Sequence, residues 1–213
     1  MPLAMDRLLR IAEILCRWGA WFSGALLVLA SVVIGVEVLL RRFLNLSIGG
    51  ADELSGFALA IGAAWSMAYA LLHRAHVRID SLYVLLPWSL RAVLDLAGLA
   101  LFVAFMGLIA WRGWGVFEQS WEVGARTMSR LATPLALPQF IWVAGLVLFL
   151  AVGLLLLIAG GFALLRGDIR TAQRLIGSRS VSEELEGELG EAAPAAARST
   201  RTTPVAAGRE AEP

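Results

Sequence analysis

DELSGFALAIGAAWSMAYALLHRAHVRIDSLYVLLP, residues 52–87, is the stretch on which the fold turns. It opens with an acidic pair, Asp52 and Glu53, and continues through nineteen uncharged residues, Leu54 to Leu72. It closes on a polar cluster of His73, Arg74, His76, Arg78 and Asp80, with Pro87 beyond. About 20 apolar residues cross the hydrocarbon core of a bilayer as a helix, so the stretch predicts one membrane span. The acidic pair complements the positive end of that helix's dipole. Gly56, Ala58, Gly62, Ala63, Ala64 and Ser66 keep the span slim. Small residues let backbones approach closely in a membrane, so this helix is expected to pack on more than one side. Trp65 lies deep in the span and is expected to fill space against a neighbouring helix.

The rest of the chain follows from this reference. Of 213 residues, 59% are hydrophobic and 16% charged, well short of the roughly 25% charge of a soluble domain. That deficit points to an integral membrane protein. Residues 1–17 read as an amphipathic lead-in, with apolar side chains at helical spacing between Arg7, Arg10, Glu13 and Arg17. Trp18 to Val36 is uncharged, longer than the core of a signal peptide, and leads into Arg41-Arg42 rather than a small-residue cleavage site. It is expected to be retained as the first span, about 18–40. Glu37 and Arg41, four apart, should pair on one helix face. Spans at about 53–72, 92–111 and 138–163 complete a four-helix transmembrane domain over 18–163. Pro138 suits a first helical turn, where its missing N–H is not needed. The alternating character of His73–Arg91 suggests an interfacial segment between the second and third helices. Residues 164–213 read as a basic juxtamembrane stretch followed by a disordered tail, with too few large apolar side chains to fold.

Four spans put both termini on one side. That side would hold Arg7, Arg10, Arg17, Arg74, Arg78, Arg91, Arg166, Arg170, Arg174 and Arg179, against Arg41, Arg42, Arg112, Arg126 and Arg130 opposite. The positive-inside rule therefore predicts cytoplasmic termini. The loops at 41–53 and 112–137 would then face outward.

Chemistry is sparse. The net charge of +1 gives no reason to expect nucleic acid as a partner. Cys16 is the single cysteine, which excludes an intramolecular disulfide and a cysteine metal cluster. His73 and His76 stand three apart at one membrane edge, and no histidine on a facing helix could complete an axial haem pair. The residues show no nucleophile–base–acid set and no phosphate loop. No catalytic, metal or cofactor site is expected, and no enzyme activity. A four-helix cytochrome b-type redox subunit and a membrane assembly protein are the alternatives the histidines and the helix count leave open.

Several short motifs resemble the small permease subunit of TRAP transporters, the DctQ family. They are Arg42-Phe43 after the first span, Asp52-Glu53-Leu54 at the start of the second, and His76-Val77-Arg78-Ile79-Asp80 after it. Leu86-Pro87 before the third span and Pro138 before the fourth fit the same pattern. The resemblance covers roughly residues 10–163. It implies the small subunit of a tripartite, sodium-coupled transporter that imports an organic acid across the bacterial inner membrane. It also implies two partners, a large permease in the membrane and a periplasmic substrate-binding protein. On this reading the chain is a scaffold for the large permease. Arg42, Asp52, Glu53, His76, Arg78, Asp80, Pro87 and Pro138 are then structural or interface groups. The outward loop at 112–137 is the expected contact for the binding protein.

Overall fold

The computed structural model describes residues 3–47, 49–75, 87–168 and 171. Four long helices account for nearly all of them: α1 (Leu3–Leu44), α2 (Ala51–Leu72), α3 (Trp88–Glu122) and α4 (Ala136–Leu165). Each is long and apolar enough to cross a membrane. Among the described residues no strand forms; a single antiparallel bridge joins Arg126 to Pro134 within a loop. The chain is an all-α protein with four transmembrane helices. The interfacial segment expected after α2 lies outside the described residues.

Two helices run further than the apolar patterns suggest. The amphipathic lead-in and the first span form one uninterrupted helix, because no proline or helix-ending glycine turn separates them. At 1.5 Å per residue its 42 residues reach about 63 Å, roughly twice the hydrocarbon thickness. Likewise, α3 starts directly after Pro87, whose carbonyl accepts from the Leu90 and Arg91 amides at 3.0 and 3.1 Å. It then continues past Arg112 to Glu122, so the loop before α4 is shorter than 112–137. Counting charges cannot see this extension, since Arg112, Glu118 and Glu122 are compatible with a helix standing clear of the membrane.

The helices pack in the order α1–α2–α4–α3, with a shorter contact between α1 and α4. The inner pair is the more enclosed: 33% and 39% of the most apolar windows of α2 and α4 are buried, against 11% and 22% for α1 and α3. The small-residue reading of α2 accounts for its place between two neighbours. Ser23 of α1 donates to the Gly62 carbonyl at 2.6 Å, a close approach that Gly62 allows by having no side chain. Toward the other end of α2, Ala12 and Cys16 of α1 meet Ala68 and Leu71, and Phe149, Val152 and Leu156 of α4 join Leu99 and Val103 of α3 in the same core. Trp65 fills space as expected, edge-on to Phe22 of α1 and hydrogen-bonded to α4.

Candidate functional site

The loops leaving α1 and α3 come together at the start of α2, and most of the singled-out residues described in the structure gather there. Glu37 is buried near the end of α1. It accepts from Arg41 at 2.8 Å, one turn on, and from the Ser47 hydroxyl at 2.6 Å. A carboxylate removed from water needs such partners, and here a neighbouring cation and the following loop supply them. Arg42, next to Arg41, is exposed in the last turn.

Beyond Ser47 the chain turns through Gly49, at φ +74°, and Gly50. A side chain could not be added at either without cost. A Cβ on Gly49 would come within 2.7 Å of the Arg130 side chain, and one on Gly50 would run into Leu131. The glycines thus let the α3–α4 loop lie directly on the entry to α2. Asp52 is exposed in the first turn, while Glu53 is turned inward.

Glu53 is the least expected feature. Both its carboxylate oxygens are shut off from solvent, and neither has a hydrogen-bond partner of full geometry. The side chains of Ser129, Thr133 and Thr127 nevertheless face it as donors. Hydroxyl hydrogens rotate to suit their surroundings. Ser129 Oγ already accepts the Leu131 amide at 3.2 Å, and Thr127 Oγ1 accepts that of Thr133 at 2.9 Å. Thr127 Oγ1 and Ser129 Oγ also lie 3.3 Å apart, so one hydroxyl donates to the other and the remaining hydroxyl hydrogen can turn toward the carboxylate. The loop is also tied to itself: the Thr127 amide donates to the Thr133 carbonyl at 3.0 Å and Arg126 to the Ala132 carbonyl at 3.2 Å. A Schellman turn at Gly124, with the Ala125 amide on the Ser120 carbonyl at 2.9 Å, starts it. The result is a stiff, self-bonded loop held down by α2. Ser and Thr spacing in residues 127–133 was the available signal for it, though nothing in that spacing names Glu53 as the anchor.

Pro87 caps α3 and Pro138 lies in the first turn of α4. His76, Arg78 and Asp80 lie outside the described residues. At the opposite end of α2, His73 Nε2 stands 3.2 Å from Glu13 Oε1 of α1. The angle misses hydrogen-bond geometry, so the two groups are in contact without a hydrogen bond. The His73 ring also lies 4.1 Å from that of Tyr69. No group of three or more His, Cys, Asp or Glu residues that could hold a metal occurs among the described residues.

The family of tripartite ATP-independent periplasmic transporters, DctQ component, matches residues 30–162. The chain belongs to the DctQ family. The match begins about two thirds of the way along α1 and ends in the last turn of α4, so it takes in the other three helices and the last third of the first. No curated protein and no solved structure matches the chain. As a DctQ component it is the small membrane subunit of a TRAP transporter, a multi-pass protein of the inner membrane that works with partner subunits. The loop site sits within the DctQ segment, and the first 29 residues lie before it.

Proposed function

We propose that this DctQ component is a scaffold rather than a transport path. It holds the fixed part of the large permease in the membrane and offers its α3–α4 loop to the periplasmic substrate-binding protein. The transporter would be sodium-coupled and would import an organic acid; neither role falls to an enzymatic site on this chain. The observation that carries the scaffold reading is the locked inner pair. Trp65 of α2 donates to the Ile141 carbonyl of α4 at 2.9 Å and packs on Gly145, a joint suited to rigidity rather than to sliding. On one flank Leu101, Phe105 and Leu108 form an exposed apolar ridge on α3, the surface we assign to the large permease.

The arginine distribution supports cytoplasmic termini, which puts the α1–α2 and α3–α4 loops on the periplasmic side. In this arrangement residues 1–17 extend the first span inward, 18–163 form the membrane body, and 164–213 are cytoplasmic. Arg42, Asp52 and Glu53 would then belong to the periplasmic face and His76, Arg78 and Asp80 to the cytoplasmic one, as structural or interface groups. Pro87 and Pro138 set the starts of α3 and α4.

Co-purification with the large permease from membranes tests the scaffold role. Retention of the large permease on an affinity-tagged form of this chain is expected, with loss of retention when Phe105 is changed to Arg. A chain that purifies alone, and whose deletion leaves uptake intact, would end the proposal. A binding screen on the soluble partner identifies the organic acid.

A further inference from the structure

Going beyond the transporter role, we propose that α1 carries a groove for an anionic phospholipid, its headgroup at Arg17 and one acyl chain lying along the helix to Val32. The groove has a volume of about 800 Å³. Its walls are Arg17, Trp21, Gly24, Val28 and Val32 of α1 and Tyr69 of α2. The α1 residues recur at three- and four-residue intervals and so lie on one face. Arg17 is the single charged residue lining the groove and stands at one end of it, with Glu13 one turn further out on α1 turned toward His73.

Three observations select the occupant. The uncharged part, Trp21 to Val32, rises about 16 Å at 1.5 Å per residue, close to the roughly 15 Å that is half of a bilayer's hydrocarbon core. Trp21 and Tyr69 stand at the Arg17 end, and amphipathic aromatic rings belong at headgroup level. A guanidinium matches a phosphate in charge and in its forked donor geometry. The floor is open as well, since a Cβ placed on Gly24 meets nothing within 4 Å. A transmembrane helix is the competing occupant. Such a helix would seat its own side chains over Gly24 and Val28 and shut lipid out of the groove, so the labelling test below separates the two occupants. An acyl chain is slim enough to enter. Val32 and Tyr69 fall within the segment matched by the family, whereas Arg17, Trp21, Gly24 and Val28 lie before it, so the charged end of the groove on α1 stands outside that segment.

The test uses the assembled transporter in nanodiscs, with photoactivatable acyl chains on phosphatidylglycerol or, separately, phosphatidylcholine. Peptide mapping then reads labelling at residues 20–32. At least threefold more labelling from phosphatidylglycerol is expected. Arg17→Gln should bring the ratio to about one, Arg17→Lys should restore most of it, and Arg112→Gln, on a different helix, should leave it unchanged. Gly24→Leu should lower labelling by both lipids by filling the floor. Equal labelling by the two lipids, or a ratio indifferent to Arg17→Gln, overturns the proposal. So does labelling seen only in the chain separated from its partners, which would show that a partner helix covers the face.

Discussion

The indole N–H of Trp65 in α2 donates to the backbone carbonyl of Ile141 in α4 across 2.9 Å. Gly145, one turn beyond Ile141, makes the approach feasible: a Cβ there would lie 2.7 Å from Trp65 Cδ1 and 3.0 Å from Ala64 Cβ. Gly19 of α1 leaves room for the same indole from another side, since a Cβ there would lie 3.3 Å from Trp65 Cε3. One side chain therefore registers three helices.

Gly145→Ala is expected to destabilise the helical body by about 1–3 kcal/mol, the usual cost of overpacking a filled core. Trp65→Phe keeps much of the volume and loses the hydrogen bond, for about 1 kcal/mol. Gly56→Ala serves as control, because a Cβ there meets open space. Thermal unfolding in detergent should rank them Gly145→Ala lowest, then Trp65→Phe, with Gly56→Ala close to the parent. A Gly145→Ala protein as stable as the control would show that α2 and α4 do not meet at this register.

Glu37 gives a second prediction. It is only 4% exposed and is held by an exposed arginine and a loop serine. Ser47→Ala removes a short bond to a charged acceptor and should cost about 1–2 kcal/mol. Arg41→Gln and Glu37→Gln should each lower the thermal midpoint, but the double variant less than their sum, since a buried carboxylate without its cation is the costly state. Strict additivity in the four-way comparison would mean that Glu37 and Arg41 do not interact.

The helices were legible because the signal is collective. Long uncharged runs bounded by charges state the number of spans, and the small residues of α2 state that it lies between neighbours. Glu37–Arg41 was equally plain, since four-residue spacing is a local rule. The continuity of α1 was less plain, because an amphipathic segment and an apolar one share the same helical period. The anchoring of the α3–α4 loop was hidden for a different reason. It depends on contacts between Glu53 and residues more than seventy positions away, and on Gly49 and Gly50 yielding room to Arg130 and Leu131. No spacing rule reaches that far. In the sequence Gly49 and Gly50 look like ordinary turn residues, whereas their work is to let another loop in.

That anchoring is open to measurement. Ser129→Ala removes a donor facing Glu53 and also the acceptor for the Leu131 amide, while Thr127→Ala does the same for Thr133. Hydrogen exchange at the Leu131 and Thr133 amides should quicken by about tenfold or more in the respective variants, while amides in mid-α4 stay protected. Glu53→Ala should quicken both together, because the two hydroxyls are linked to each other and through that link to the carboxylate. Unchanged exchange in Glu53→Ala would mean that the loop holds its shape without α2.

The proposed docking of the binding protein makes the sharpest demand on the same loop. Met128 lies between the anchored hydroxyls yet is fully exposed, so its side chain contributes nothing to the packing of this chain. An apolar side chain presented on a stiff support loses little conformational freedom on binding beyond its own rotamers, which favours it as a contact point. Met128→Asp should therefore leave the thermal midpoint within about a degree of the parent while lowering uptake several-fold at limiting binding protein. Excess binding protein should recover most of the lost rate, since the defect is in encounter and not in translocation. Met128→Leu should behave as the parent. Full uptake by Met128→Asp at limiting binding protein would move the docking surface away from this loop, whereas a defect that excess binding protein cannot relieve would place Met128 in contact with the permease instead.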